Sequence, residues 1–340
     1  MASSADASRW GPLLAAFGLV LTALVGCGGG GPAALAGRAS TTTAVPARGP
    51  EGGGPVGGGD PGTALPTDTV ASAGLGVVVT PSGVVAAVVA RRGAGWLVET
   101  PCGAERVVRK ATPVARTTIV LDPGHGGAES GARAPDGLAE ATVNLDVARR
   151  AQAALEAAGV AVVLTRTDDY DMSLRSRAQV AVDLAPRAFV SIHHNAVPDG
   201  PRSDPGTETY YQRSSPDSRR LAGLVYEEVV RALAAYRVAW VGDRDAGAKY
   251  RPGSRGDYYA VLRQPAGVVS VLAELAFVTN PPEAELLARP EVRQREADAV
   301  ARGVVRWLRT DDPGSGYVEP YPRPPEAGSP GPPACKDPAF

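Results

Sequence analysis

The sequence predicts an α/β protein with a single mainly parallel sheet, helices on both faces, and a small β-hairpin module before it. Between residues 117 and 310, apolar runs of strand length alternate with amphipathic helical segments. That order is typical of parallel sheets covered on both faces. Residues 77–100 carry short Val-rich runs separated by Gly-containing turns, as antiparallel hairpins do. The 41 Gly and 31 Pro residues concentrate outside the central region, so we expect one substantial core.

The charge balance argues against a nucleic-acid partner. The chain has 35 basic and 36 acidic residues and a formal net charge of −1. Nucleic-acid binding proteins usually present a basic face, often with interleaved aromatic residues, and the sequence shows no such stripe. We expect a monomer that binds no nucleic acid.

Residues 1–27 predict a signal peptide with a lipoprotein box. The apolar run at 12–26 has the length of a signal-peptide core and is short for a membrane span. It ends in Leu24-Val25-Gly26-Cys27, which resembles the bacterial box whose Cys is lipidated. The alternative is an incidental Cys after a plain signal peptide. We expect export, with Cys27 anchored to the outer face of the cytoplasmic membrane, or secretion if Cys27 is not lipidated.

Two segments connect this N-terminus to the central domain. Residues 28–73 are rich in Gly, Ala, Pro, Thr and Ser, which predicts a disordered tether spanning on the order of 35–40 Å. Residues 74–116 form the small β module, with strands expected at 77–80, 84–90 and 96–100. The module is too short to bury a core alone, so it is either a structural addition to the next domain or a wall-binding patch.

Residues 117–310 are predicted to be the main α/β domain, and the Pro-rich residues 311–340 a disordered tail. The expected helices and extended segments in this domain follow in chain order: strand 118–121, helix 138–158, strand 160–164, helix 174–184, strand 188–192, strand 207–212, helix 217–236, extended segments 258–263 and 268–274, and helix 291–309. Cys102 and Cys335 form an even pair in an oxidising compartment and could be joined by a disulfide.

A histidine lies in the tight turn that follows the first strand of this domain. Thr118–Leu121 is apolar and is followed by Asp-Pro-Gly-His-Gly-Gly, which cannot continue a ladder. A phosphate-binding loop is the alternative, but the third Gly of GxGxxG is missing and no GK[ST] follows. His125 is therefore expected to be accessible at a strand end, where α/β sheets carry their chemistry.

Further side chains make a metal site plausible on chemical grounds. The sequence contains only three histidines, and His193 and His194 come directly after a predicted strand. Converging neutral imidazoles suit Zn²⁺, whose catalytic sites use three protein ligands. Glu140 begins the helix after the His125 loop and could point back toward it. Its alternative role is simply to complement the helix dipole.

Six ordered motifs resemble the zinc-dependent N-acetylmuramoyl-L-alanine amidases of the third amidase family over about residues 117–310. The motifs are DPGHGG at 122–127, GLAE at 137–140 followed by VNL at 143–145, LTRTDD at 164–169, SL at 173–174 with Arg177, SIHHN at 191–195, and ELAFVTN at 274–280. The resemblance implies that His125, Glu140 and His193 bind Zn²⁺ and that Glu274 is the catalytic base. The chain departs from the family at His194, where Ala is usual, so we interpret His194 as a neighbour of the ligands.

The resemblance also implies the reaction. The protein would hydrolyse the amide bond between N-acetylmuramic acid and L-alanine of peptidoglycan, with Glu274 accepting a proton from water and passing it to the departing nitrogen. Two alternatives stay open: a zinc peptidase acting on the stem peptide, and a non-catalytic wall-binding lipoprotein. Residues 237–257 contain several Gly and a Pro, which disfavours an occluding helix, so we expect an open cleft.

Overall fold

The computed structural model describes residues 75–323 and 334–340. The predicted signal peptide, lipoprotein box and tether lie outside the described residues. No helix in the described part of the chain combines the length and apolar character needed to cross a membrane.

The described chain contains fifteen strands and six helices. The strands are β1 Val77–Val79, β2 Val85–Arg92, β3 Gly95–Glu99, β4 Glu105–Val108, β5 Thr112–Val114, β6 Ile119–Pro123, β7 Val162–Leu164, β8 Ala188–Asn195, β9 Gly200–Arg202, β10 Glu208–Tyr211, β11 Trp240–Gly242, β12 Ala248–Lys249, β13 Pro252–Gly253, β14 Gly256–Asp257 and β15 Ser270–Phe277. The helices are α1 Glu140–Ala157, α2 Leu174–Leu184, α3 Pro216–Leu233, α4 Ala260–Arg263, α5 Pro281–Leu287 and α6 Pro290–Arg309.

The central sheet has six strands in the order β12-β10-β15-β8-β6-β7. The predicted α/β class is confirmed, but the sheet is mixed, because β10 pairs antiparallel with β15 while the other neighbours are parallel. The chain leaves β8 at Asn195 and enters β10 at Glu208 with no helix between them. A parallel return would need a crossover, usually helical, so β10 runs back in the opposite direction.

Alternate residues of the central strands face two different apolar layers. Ile119, Leu121 and Val190 pack in one core with side chains of α1, α3 and α6. Val120 and Phe189 face the opposite core, which includes residues of α2 and α4. Burial on both faces explains why these strands read as continuous apolar runs in the sequence.

The module before the central sheet is a five-stranded antiparallel sheet in the order β4-β3-β2-β1-β5. Three strands were expected there, and β4 and β5 were missed because both are short and mostly exposed. Val77 and Val85 pack in the same core as Val120 and Phe189. The small sheet therefore covers part of the second face of the central sheet.

The expectation of a disordered tail at 311–340 is wrong for the segments that the structure describes. Tyr317 packs against the first core, and Arg323 forms ion pairs with Asp243 and Asp245. Cys335 is joined to Cys102 by a disulfide, with Cα atoms 5.6 Å apart. In the described parts of the tail, a few aromatic, charged and cysteine side chains have specific partners, which composition alone does not reveal.

Three further differences concern the site. The segment 258–263 was expected to be extended, yet Ala260–Arg263 is a short helix. Strand β8 continues through Asn195, so both histidines lie within a strand and not after it. Strand β15 continues through Phe277, so Glu274 lies inside its strand and not at its end. Their alternation across the sheet therefore decides which way each side chain points.

Candidate metal centre

The three side chains expected to bind a metal meet at one edge of the central sheet. His125 lies in the loop after β6, Glu140 is the first residue of α1, and His193 lies in β8. One ligand atom from each side chain falls within 4.8 Å of the other two. Two imidazole nitrogens and one carboxylate oxygen match the His₂Glu donor set of catalytic zinc sites.

Glycines make this close approach possible. A Cβ on Gly124 would lie 2.0 Å from His193 Nε2, and a Cβ on Gly131 would lie 2.5 Å from a Glu140 carboxylate oxygen. His125 itself has a φ of 61°, an unusual value for a residue other than Gly, Asn or Asp. The backbone strain at His125 accompanies the turn that brings its ring 4.7 Å from the His193 ring.

Glu140 is the centre of the hydrogen bonding at this site. Its Oε1 lies 3.0 Å from both His125 Nε2 and His193 Nδ1, and its Oε2 accepts the Ala132 N–H at 2.9 Å. Burial raises the pKa of the Glu140 carboxyl, but the two histidines outweigh burial and hold that pKa well below its ordinary value. Glu140 is therefore an anion positioned between two imidazoles.

Glu129 orients His125 from the other side of the ring. Its carboxylate contacts His125 Nδ1, and this hydrogen bond keeps Nε2 on the side of the ring that faces Glu140. Burial lowers the pKa of His125, but Glu129 and Glu140 outweigh it and raise that pKa to about 10. Glu129 was not identified as a site residue from the sequence.

Two buried arginines hold the backbone of residues 123–125, the metal loop, in place. Arg166 donates to the carbonyls of Pro123 at 2.9 Å and Gly124 at 3.0 Å, while Arg177 donates to those of Pro123 and His125, each at 2.7 Å. Arg177 also pairs with the buried carboxylate of Asp122 at 2.7 Å. Both arginines occur in the recognised motifs, but only the folded chain reveals that they fix the backbone around His125.

His193 and His194 point to opposite faces of β8, as the alternation of a strand requires. His193 faces Glu140, whereas His194 is buried, with Nδ1 2.7 Å from Asn144 Oδ1 and Nε2 3.4 Å from Glu296 Oε2. The histidine expected to be a neighbour thus lies among α1 and α6 side chains. Of the three histidines, the structure brings His125 and His193 together.

Glu274 lies beside the ligands on the neighbouring strand. It is the register partner of His193 on one side and of Glu208 on the other, so the three side chains face the same way. Burial, together with the carboxylates of Glu140 and Glu208, raises the pKa of Glu274 well above its ordinary value. Its Oε2 is buried and has no hydrogen-bond partner in the structure.

Glu208 was not identified from the sequence. Its carboxylate contacts the buried Lys249 ammonium and accepts hydrogen bonds from Asn195 at 3.0 Å and Tyr210 at 2.7 Å. The nearby Asp245 also pairs with Lys249, at 2.8 Å. The Lys249 ammonium compensates the negative charge of the buried Glu208 carboxylate, so Glu208 is not left as an unpaired buried charge.

A cavity of about 370 Å³ opens at this edge of the sheet. It is lined by His125, Glu129, Gly131, Ala132, Glu140, His193, His194, Asn195, Ala196 and Glu274. The candidate base and the three candidate ligands therefore border one space. This arrangement can hold a divalent cation, a water molecule and a polar group of a substrate together.

Comparisons with known proteins identify the family of this chain. The family model for N-acetylmuramoyl-L-alanine amidase matches residues 119–306 of the 340-residue chain. Protein YqiI of Bacillus subtilis is 36% identical over 57% of this chain and 86% of its own length. The B. subtilis N-acetylmuramoyl-L-alanine amidase LytC is also 36% identical, over 62% of this chain and 39% of its own length.

Among solved structures, Cwp6 from Clostridium difficile is similar with a TM-score of 0.50 and 28% identity, over 57% of this chain and 30% of that chain. The similarity to LytC and Cwp6 thus covers less than half of each. The family match spans more than half of this chain and contains every candidate ligand and the candidate base. The chain belongs to the N-acetylmuramoyl-L-alanine amidase family of peptidoglycan hydrolases.

Proposed function

We propose that the protein hydrolyses the amide bond between N-acetylmuramic acid and L-alanine with a zinc ion held by His125, Glu140 and His193. The observation that carries the proposal is the shared cavity, in which the His₂Glu donor set lies beside a buried carboxylate oxygen of Glu274 with no hydrogen-bond partner. A bound zinc ion supplies Lewis acidity toward a water molecule and a carbonyl oxygen.

Glu274 performs the proton transfers. Its raised pKa and its place next to His193 suit a group that must accept a proton and give it back. Glu274 takes a proton from the attacking water as the new C–O bond forms at the lactyl carbonyl. When the C–N bond breaks, the same carboxyl returns the proton to the L-alanine nitrogen, so the carboxylate is regenerated.

The other residues prepare this geometry. Glu129 holds the ring of His125, and the guanidinium groups of Arg166 and Arg177 hold the backbone on either side of it. Preorganised ligands lose little conformational entropy when the metal and substrate bind.

The enzyme is proposed to work in the cell envelope, attached through lipid on Cys27. The support is the apolar run at 12–26 followed by Leu-Val-Gly-Cys. Intact-mass analysis of the membrane fraction tests the anchor, because Cys27→Ser should remove the lipid mass and release the protein. Unmodified Cys27 in the native protein would show that secretion without an anchor is correct.

The activity is tested by digesting purified peptidoglycan and labelling the amines that appear. New amino groups on L-alanine, abolished by a chelator and restored by zinc, are the expected result. New amino groups elsewhere in the stem peptide would instead indicate a zinc peptidase. Wall binding without any new amine would indicate a non-catalytic binding protein.

A further inference from the structure

We propose that His194, together with Glu296, is a positioning residue that orients the metal ligand Glu140 through the side-chain amide of Asn144. The inference rests on the proposed zinc function and adds to it a set of buried groups on the opposite face of β8. His194, Asn144 and Glu296 are 1%, 0% and 0% exposed.

Asn144 connects the two faces. Its Nδ2 lies 3.3 Å from Glu140 Oε1 and 3.3 Å from the Gly124 carbonyl, both of which are acceptors. Its Oδ1 lies 2.7 Å from His194 Nδ1. With the amide in this orientation, Asn144 donates hydrogen bonds to the Glu140 carboxylate and to the Gly124 carbonyl of the metal loop. These two bonds fix the positions of the ligand and of the loop.

The hydrogen bond between His194 Nδ1 and Asn144 Oδ1 holds the amide with Nδ2 toward Glu140. Without the His194 side chain, this bond no longer opposes a flip of the amide. A flipped Oδ1 would oppose Glu140 Oε1 and the Gly124 carbonyl, and such juxtaposed acceptors are destabilising in a buried site.

Glu296 lies on the other side of the His194 ring. Its Oε2 lies 3.4 Å from His194 Nε2, and its Oε1 is buried without a partner in the structure. Two acceptors, Glu140 Oε1 and the Gly124 carbonyl, face Asn144 Nδ2. Asn144 Oδ1 therefore faces the ring, and His194 Nδ1 is its donor.

The backbone of His194 adds to the same effect. Its N–H donates to Glu140 Oε1 at 3.2 Å, so one residue supports the ligand through the main chain and, by way of Asn144, through the side chain. The family usually has Ala at this position. An Ala keeps the backbone hydrogen bond to Glu140 but has no side chain to contact Asn144. This chain therefore holds Glu140 with an additional restraint.

The test is zinc affinity measured by chelator competition on the full chain. His194→Ala should still bind one zinc ion per chain but with affinity lower by on the order of 10-fold, the lower end of the range for groups that orient ligands. His194→Asn places a donor where Nδ1 lies and should restore most of the affinity. His194→Gln places its polar group where Nε2 lies and should not.

Double variants and a packing control separate orientation from general destabilisation. Asn144→Ala should weaken zinc binding by itself, and adding His194→Ala to it should have little further effect. Val292→Ala removes a buried apolar side chain of the same α6 helix and should lower Tm without changing zinc affinity.

Each outcome has a distinct meaning. Equal zinc affinities for wild type, His194→Ala and His194→Gln would overturn the positioning role and leave the zinc centre intact. Additive losses in the double variant would also overturn it. A wild-type chain that binds no zinc would refute the proposed metal centre itself, and the positioning role with it.

Discussion

At the residue scale, the two adjacent histidines of β8 face different surroundings. His193 lies 3.0 Å from Glu140, while the side chain of His194 is buried among groups from α1 and α6. We expect His193→Ala, like His125→Ala or Glu140→Ala, to lose stoichiometric zinc and activity. His194→Ala should retain one zinc ion per chain when zinc is in excess. Metal analysis after gel filtration makes the comparison, and the opposite pattern would reverse the ligand assignment.

The carboxylate of Glu274 gives a second prediction at this scale. Glu274→Gln keeps the shape of the side chain but cannot accept a proton, so zinc content and Tm should stay near wild type. The rate of peptidoglycan hydrolysis should fall by on the order of 10²–10⁴. Turnover close to wild type would show that another group is the base.

The sequence predicts some of these residues better than others. The candidate ligands and base could be named because they stand in motifs that resemble a known family. Glu129 and Glu208 could not be given roles, because their partners come from folding: Glu129 contacts His125 across a tight turn, and Glu208 meets Lys249 on an adjacent strand. A buried pair far apart in sequence has no local pattern.

At the element scale, α2 ends with a carboxylate that the fold tolerates poorly. Asp183 lies in the last turn, where the helix dipole disfavours negative charge. Burial and the nearby Glu99 raise the pKa of Asp183 from 3.8 to about 6, although Gln179 donates a hydrogen bond to it. The folded protein therefore binds the proton more tightly than the unfolded chain, and stability is lost as pH rises through about 6.

Asp183→Asn should consequently stabilise the protein at pH 7.5 and have little effect near pH 4. Because the side chain is only half-buried, we expect a gain of about 0.5–1 kcal/mol in the free energy of unfolding. Thermal unfolding at the two pH values measures it. Asp298→Asn, which keeps the equivalent hydrogen bond from Gln294 in the middle of α6, is the control. Equal gains for Asp183→Asn at both pH values would contradict the charge argument.

Elements with a strong local pattern were predicted closely. Helix α2 has the predicted bounds 174–184, since Ser173 caps its first turn by accepting the Ser176 N–H. Helix α4 was missed because four residues give no helical periodicity. The direction of β10 was missed as well, since it depends on the path of the chain between strands and not on the residues of the strand itself.

At the scale of the whole molecule, the Cys102–Cys335 disulfide joins residues 233 positions apart. Its removal should lower the free energy of unfolding by on the order of 2–5 kcal/mol. The tail beside it also contributes contacts, because Asp337 accepts from Thr100 and from the Cys102 N–H. Cys335→Ser should reduce Tm, and a reducing agent should lower wild type to the same Tm. A reducing agent that lowered the Tm of Cys335→Ser further would point to a different cause.

The cleft prediction also belongs to the whole molecule. Residues 237–257 contain β11 to β14 and no helix, and the cavity lining comes from other segments. We expect the chain from 75 to 340 to hydrolyse purified wall without an added protein. Residues 75–116 belong in this test, because Val77 and Val85 complete the second core. Strict dependence on an activator would contradict the prediction.

The covalent link between Cys102 and Cys335 also has a consequence for biosynthesis. All of the catalytic domain lies between the two cysteines. The disulfide can therefore form only after that whole stretch has been synthesised. If the chain is exported as proposed, the reducing cytosol keeps both thiols free, and the bond forms after Cys335 has crossed the membrane. The tail is then covalently joined to the small β module only outside the cell. The enzyme would thus reach its final stability in the compartment that contains its proposed substrate.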